Sequence, residues 1–306
     1  MTPPRYSWLP LAAIATTLLF WSAAFVAIRH LGADFSPGGL SLGRLLIGSV
    51  ALGLVLFTRG HPRRPARGDW LPLVTIGVLW FGVYNVALNE AERRVDAGTA
   101  AMLIQLSPLL IALLAALFLD ERITRWLLLG MLLAFSGVVL IGFADSPDGD
   151  PDFLGVLLCV VSAASYAISM IVQKPLVGRL SALQVTWTAC TVGAIACLPF
   201  AGSLLDSLEA APASSIWWLV FLGVFPTAIA FTTFAYALSH MDASKLGVTT
   251  YVVPPITIVM GWLFLSEVPA GLAYVGGALC LVGVAVARRR TTAPPAADVK
   301  VDAPTT

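Results

Sequence analysis

Two hydrogen-bonding side chains stand three positions before prolines in apolar surroundings: Gln105 before Pro108, and Tyr251 before Pro254. A proline inside a helix removes a backbone N–H and crowds the carbonyl one turn earlier, so each should kink its helix and free a carbonyl. An amide facing lipid is costly, which points Gln105 toward a cavity or a neighbouring helix. Arg44 is the strong cation candidate inside an apolar run. It reaches the interface or an acid, or its field favours a substrate carboxylate. Phe81, Asn85 and Asn89 share one helical stripe, with Trp80 and Tyr84 on the next. Trp21 and Tyr166 add two more rings. Trp21, Arg44, Trp80, Phe81, Tyr84, Asn85, Gln105, Tyr166 and Tyr251 are the expected lining of a substrate-binding pathway. Such a lining, aromatic with few polar groups, is the usual character of a small-molecule site. Helix packing and interfacial belts use the same aromatics, and that alternative stays open for each ring.

Other chemistry is harder to place. Gly39-Leu40-Ser41-Leu42-Gly43 matches the nucleophile-elbow string, but that string needs a strand–turn–helix and a partner His. Here it opens an apolar helix, and His30, His61 and His240 lie at the ends of apolar runs or between them. No Gly-Lys-Ser/Thr string for nucleotide phosphates is present. Cys159, Cys190, Cys197 and Cys280 fit neither a metal site nor a disulfide framework and read as small packing residues. Glu121 and Glu267 close apolar runs and read as caps or partners of backbone donors rather than as proton relays. The first apolar run contains no acid. The expectation is therefore no enzyme, no metal and no cofactor.

What must position these residues follows from composition. Of 306 residues, 58% are hydrophobic and 11% charged, against about 25% charged in a soluble domain. Mean hydropathy is +0.88. So much apolar surface with so little charge to cover it makes lipid the solvent, and the net charge of +1 gives no footprint for nucleic acid. Apolar runs of helix-spanning length fall at 10–30, 38–58, 70–89, 96–118, 124–142, 153–172, 182–202, 214–237, 244–265 and 271–287. They do not alternate as barrel strands would, and helices satisfy their own backbone hydrogen bonds in lipid. The first run, preceded by Arg5, is longer than a signal-peptide core and reads as an uncleaved helix. Lys and Arg concentrate in the connections that share a side with the N-terminus, while the 145–152 connection is acidic. Both termini are predicted cytoplasmic, in a multi-pass protein of the bacterial inner membrane. The segment 291–306, rich in Ala, Pro and Thr, is predicted to be a disordered tail.

The sequence also repeats. At an offset of 146 residues, Gly77 aligns with Gly223, Asp96 with Asp242, Pro108 with Pro254, Glu121 with Glu267, Gly130 with Gly276 and Gly137 with Gly283. At offset 145, Trp21 aligns with Tyr166 and Arg29 with Lys174. The unit is five helices, an odd number, so the second copy must thread the membrane in the opposite sense. The predicted fold is an all-α membrane protein of ten transmembrane helices, as two inverted five-helix repeats over 1–143 and 152–290. Inverted repeats place a substrate site near the midplane between the halves.

The residues Phe20-Trp21-Ser22-Ala23-Ala24-Phe25, Gly43-Arg44-Leu45-Leu46, Leu106-Ser107-Pro108-Leu109 and Leu119-Asp120-Glu121 carry a family likeness. Val253-Pro254-Pro255 and Leu265-Ser266-Glu267 repeat it in the second copy. Over about 10–290 the chain resembles the EamA-type members of the drug/metabolite transporter superfamily, departing from them at Ser22, where Gly is common. The resemblance implies an inner-membrane carrier, often an exporter of amino acids or related metabolites. The expected function is export of small organic metabolites, foremost amino acids with aromatic or bulky apolar side chains, by alternating access. The expected partners are membrane lipid and a small-molecule substrate, no nucleic acid, with the chain a monomer or weak oligomer. Drug or nucleotide-sugar transport, or a non-transporting scaffold, are the alternatives; nucleotide sugars call for more cavity cations than Arg44.

Overall fold

Capping side chains and prolines set where the helices begin and end. The computed structural model describes residues 8–59, 62–118, 125–144, 152–240, 246 and 249–287. Glu121, Asp242, the acidic stretch 145–151 and the 291–306 tail lie outside the described residues. Among the described residues every element is helical. In chain order these are α1 (Trp8–Leu31), α2 (Pro37–Thr58), α3 (Arg67–Ala91), α4 (Ala97–Ile104), α5 (Ser107–Phe118) and α6 (Arg125–Ala144). They continue with α7 (Phe153–Leu176), α8 (Ala182–Ala196), α9 (Ala201–Ala210), α10 (Ala213–His240), α11 (Val253–Leu265) and α12 (Gly271–Ala287). Ser36 caps α2 by accepting from the Gly39 N–H, and Ser181 caps α8 by accepting from the Gln184 N–H. Asp96 caps α4 through the Thr99 N–H and hydroxyl.

Helices α1, α2, α3, α7 and α10 are each long and apolar enough to cross a membrane. The apolar run at 182–202 is not one straight helix. After α8 the chain makes a 3₁₀ turn over Leu198–Phe200 and leaves at 53° as α9. Pro199 in that turn has no N–H to continue the ladder. The run at 96–118 is likewise divided, at Gln105-Leu106, just ahead of Pro108. Pro108 cannot donate to the Ile104 carbonyl one turn back, and the Ser107 hydroxyl donates to it instead. In the second half a 3₁₀ turn over Thr250–Val252 leads into α11, which opens on Val253-Pro254-Pro255.

Two features were not visible in the sequence pattern. Helix α3 contains a π-helical stretch over Gly77–Val83, and α10 contains one over Gly223–Ile229. They sit at the same repeat offset as their leading glycines. Each widened turn leaves backbone carbonyls for side chains. Asn85 donates to the carbonyls of Trp80 (3.2 Å) and Phe81 (2.7 Å), and Thr227 donates to that of Leu222 at 2.8 Å.

Packing between helices rests on small residues, as expected where lipid gives no hydrophobic drive to associate. Helices α6 and α12 form the densest pairing. A Cβ on Gly137 would stand 2.4 Å from the Gly276 carbonyl oxygen, and one on Gly283 would stand 2.6 Å from that of Gly130. Contacts across the halves are reciprocal. Gly77 lies against Val192, and Gly223 lies against Ile47. Residues one repeat apart also touch one another. The Cys190 thiol donates to the Leu45 carbonyl at 3.4 Å, the Cys280 thiol to the Ala134 carbonyl at 3.3 Å, and the Thr250 hydroxyl to Gln105 Oε1 at 3.1 Å.

Candidate functional site

Helices α1, α2, α3, α4, α7, α10 and α11 surround an internal cavity. Trp21, Arg44, Trp80, Tyr84, Gln105 and Tyr166 contribute to its wall, together with Phe231, Thr250 and Val253. Trp21 is the hub of the aromatic part. Its ring centroid lies 4.9 Å from Phe234, 5.4 Å from Phe231 and 6.2 Å from both Trp80 and Tyr166. Trp80 lies 4.8 Å from Tyr166 and 5.0 Å from Phe231. Each such ring pair is worth about 0.5–1.5 kcal/mol beyond the area it buries, so the cage is a stiff wall. The free space inside is about 40 Å³. A water needs about 10–15 Å³ on this measure, so the cavity holds a few waters and must widen to admit a larger molecule.

The polar groups in this wall are mostly donors. Arg44 is 3% exposed, and its Nε donates to Thr227 Oγ1 at 3.0 Å. Its burial keeps it from an interface, and among the described residues no carboxylate lies within 4.0 Å of it. The Trp21 indole N–H is buried with no hydrogen-bond partner among the described residues. A buried guanidinium and an unpartnered indole N–H thus belong to the wall of one aromatic space, two donors of the kind that bind anions.

The other expected site residues fall elsewhere. Phe81 is buried against Trp80 and Phe231, and Asn85 is spent on the π-turn carbonyls, so both stand behind the wall. The side chain of Tyr251 lies outside the described residues, and its neighbour Thr250 supplies the contact to Gln105. Pro108 and Pro254 are both buried, each in the first turn of the helix that follows a break.

Sequence reasoning passed over one cluster. Beyond the Leu88 side of the cavity, Arg29 Nε bonds Glu267 Oε1 at 2.6 Å, and Arg29 Nη1 donates to the Glu92 backbone carbonyl at 2.6 Å. At the matched positions of the second half, Lys174 Nζ donates to the Leu238 carbonyl at 2.7 Å. The alignment of Arg29 with Lys174 was the available signal. What the two cations hold was not legible, because a carbonyl acceptor leaves no mark in sequence.

A bundle of apolar helices, five of them of membrane length, around an internal cavity with a buried cation is the architecture of a membrane transporter for small molecules. The EamA-like transporter family matches residues 8–143 and again 153–289, and the chain belongs to that family. Its relatives include a protein of Streptantibioticus cattleyicolor named as a probable terminal-alkyne amino-acid exporter. The two are 36% identical, over 91% of this chain and 93% of that one. The transporter YdfC of Bacillus subtilis, described as uncharacterized, is 32% identical over 86% of each chain. A solved crystal structure aligns with TM-score 0.62 at 24% identity, covering 91% of this chain and 96% of that one, and shows the shared fold alone.

Proposed function

We propose that this transporter exports amino acids with apolar or aromatic side chains across the bacterial inner membrane, with both termini cytoplasmic. It works by alternating access of two inverted five-helix halves, near 1–143 and 152–290. The reciprocal contacts of Gly77 with Val192 and of Gly223 with Ile47 support a two-fold relation between the halves, which returns each contact with its roles exchanged, and an odd helix count in each half makes that relation an inversion. Contacts between residues one repeat apart support an axis passing close to Leu45 and Cys190, Gln105 and Thr250, and Ala134 and Cys280. The small free space fits a closed intermediate, with loading requiring one end to part.

The observation that carries the substrate class is Arg44, buried in an aromatic cavity without an acid among the described residues. Its counterion would be the substrate's carboxylate, with the Trp21 N–H as second donor and the rings receiving an apolar side chain. The name of the Streptantibioticus relative agrees with amino acids as cargo and with export as direction. Among the described residues the cavity wall holds one cation, Arg44, which disfavours nucleotide sugars.

A thermal-shift screen of the purified protein across amino acids, followed by flux of labelled hits in proteoliposomes, tests the proposal. Bound cargo at about 100 times its Kd adds about 2.7 kcal/mol of stability. Leucine- or phenylalanine-like compounds should raise Tm more than their decarboxylated amines. A folded protein that neither shifts with nor moves any amino acid overturns the reading.

A further inference from the structure

We propose that Glu92 is a proton-binding site that governs closure of the Arg29 end of the pathway. This rests on the transport reading above. With that end closed, Glu92 is a neutral carboxylic acid and Glu267 is the counterion of Arg29. When the Arg29–Glu267 pair parts, the Glu92 proton leaves to solvent at that face, and the resulting carboxylate takes the guanidinium. One proton is released on opening and one is taken up on closing.

Position makes the case. Glu92 is 1% exposed, and neither carboxyl oxygen has a hydrogen-bond partner among the described residues. A carboxylate so enclosed, with no donor, is strongly disfavoured against its neutral acid. Glu92 also sits one helical turn beyond Leu88, which lines the cavity, and just past the membrane-length segment Arg67–Ala91. It stands where a pathway would open.

The Arg29 guanidinium is already anchored on the Glu92 main chain, so the change of partner needs only a short swing. Its present partner is half released: Glu267 Oε2 is buried and without a hydrogen bond among the described residues. The side chains of Arg29 and Glu267 are 31% and 26% exposed, which gives the proton a way out to solvent.

The second half supplies the control. There Lys174 caps the Leu238 carbonyl, with leucine at the position matched to Glu92. A cation on that carbonyl serves both ends, whereas a carboxyl at the Glu92 position belongs to the first half alone.

The charged and titratable neighbours are Arg29 on α1, Arg44 on α2, Tyr84 earlier on α3, Arg93 next in the chain, Asp96 at the start of α4, and Glu267 after α11. Burial holds the Glu92 carboxyl well above the ordinary carboxylate range, outweighing the pull of Arg29, and Glu267 adds to the rise.

The test uses the full chain in lipid nanodiscs and Glu92→Gln, which copies the neutral acid in shape and should fold. Infrared difference spectra between neutral and alkaline pH should show loss of a buried carboxylic C=O band that Glu92→Gln lacks. Thermal stability should fall as pH rises from the unfolded glutamate range toward the raised native value, because only the unfolded chain ionises freely there. Glu92→Gln should flatten that slope. A thiol placed by Leu88→Cys should react with a membrane-impermeant reagent several-fold faster at alkaline than at neutral pH, and Glu92→Gln should remove the dependence. An unchanged infrared band in Glu92→Gln, or labelling whose pH dependence survives it, overturns the proposal. None of these readouts uses a transported compound, so they fail or succeed separately from the amino-acid reading.

Discussion

Where the first half places Arg44, Trp80 and Tyr84 on the cavity, the second half has Ala189, Pro226 and Ala230 at the matched positions. Around these differences the frame coincides. Gly77 and Gly223 lead the two π turns, Ser36 and Ser181 cap α2 and α8, and Gly130 and Gly137 face Gly276 and Gly283. Backbone packing constrains both halves alike, because each contact is made twice. On the proposed function, cargo constrains them differently, since a molecule with one carboxylate needs one cation. Even matched side chains change role: Phe231 lines the cavity, while its counterpart Asn85 serves the backbone behind it.

The comparison breaks if either arm responds wrongly to substitution. The largest effect should come from the shared frame. Gly137→Val and Gly283→Val each force a side chain onto a carbonyl across α6 and α12, and each should cost about 3 kcal/mol or more of stability, seen as loss of monodisperse protein and of Tm. Unequal losses would show that the two halves do not share that load.

Next comes the cargo arm. Arg44→Gln should weaken amino-acid binding by about 2–5 kcal/mol, read as the concentration needed for a given thermal shift, with little change in unliganded Tm. Asn85→Ala should do the reverse. It strips two π-turn carbonyls of their donor and should cost about 1–3 kcal/mol of stability while leaving affinity nearly constant. Trp21→Phe, which keeps the ring and removes the N–H, should weaken binding by about 1 kcal/mol in the same titration. The smallest change belongs to the partly exposed ion pair. Arg29→Gln should alter Tm by the equivalent of about 1 kcal/mol or less, because solvent screens Glu267.

Much of the frame was legible because it is written in extreme residues. Apolar length marked α1, α2 and α7 to within a few positions, and Pro108 marked the break between α4 and α5. Trp21 and Tyr166 could be paired before their rings were seen to meet. The π turns were illegible because Gly77, Gly82 and Pro226 mark these stretches without saying whether a turn widens or a helix merely kinks. The bend at Pro199 was absorbed into an unbroken apolar run. Glu92 was hidden by its company. In Glu90-Ala91-Glu92-Arg93-Arg94, the outer acid Glu90 bonds Arg94 at 2.8 Å in partial exposure, while Glu92 turns inward. Charge alone does not say which side of a helix end faces water.

The wide turn at Gly77–Val83 makes the register of α3 a variable of its own. An ordinary helix turns about 100° per residue, so excising the one extra residue that the wide turn accommodates would close it and leave everything downstream aimed as before. Tightening it at constant length would instead swing Tyr84, Leu88 and Glu92 away together, with every side chain intact. A change between wide and tight turn thus re-aims a whole wall without altering a side chain, and the equivalent change at Gly223–Ile229 would turn Phe231 and Phe234 on the opposite wall.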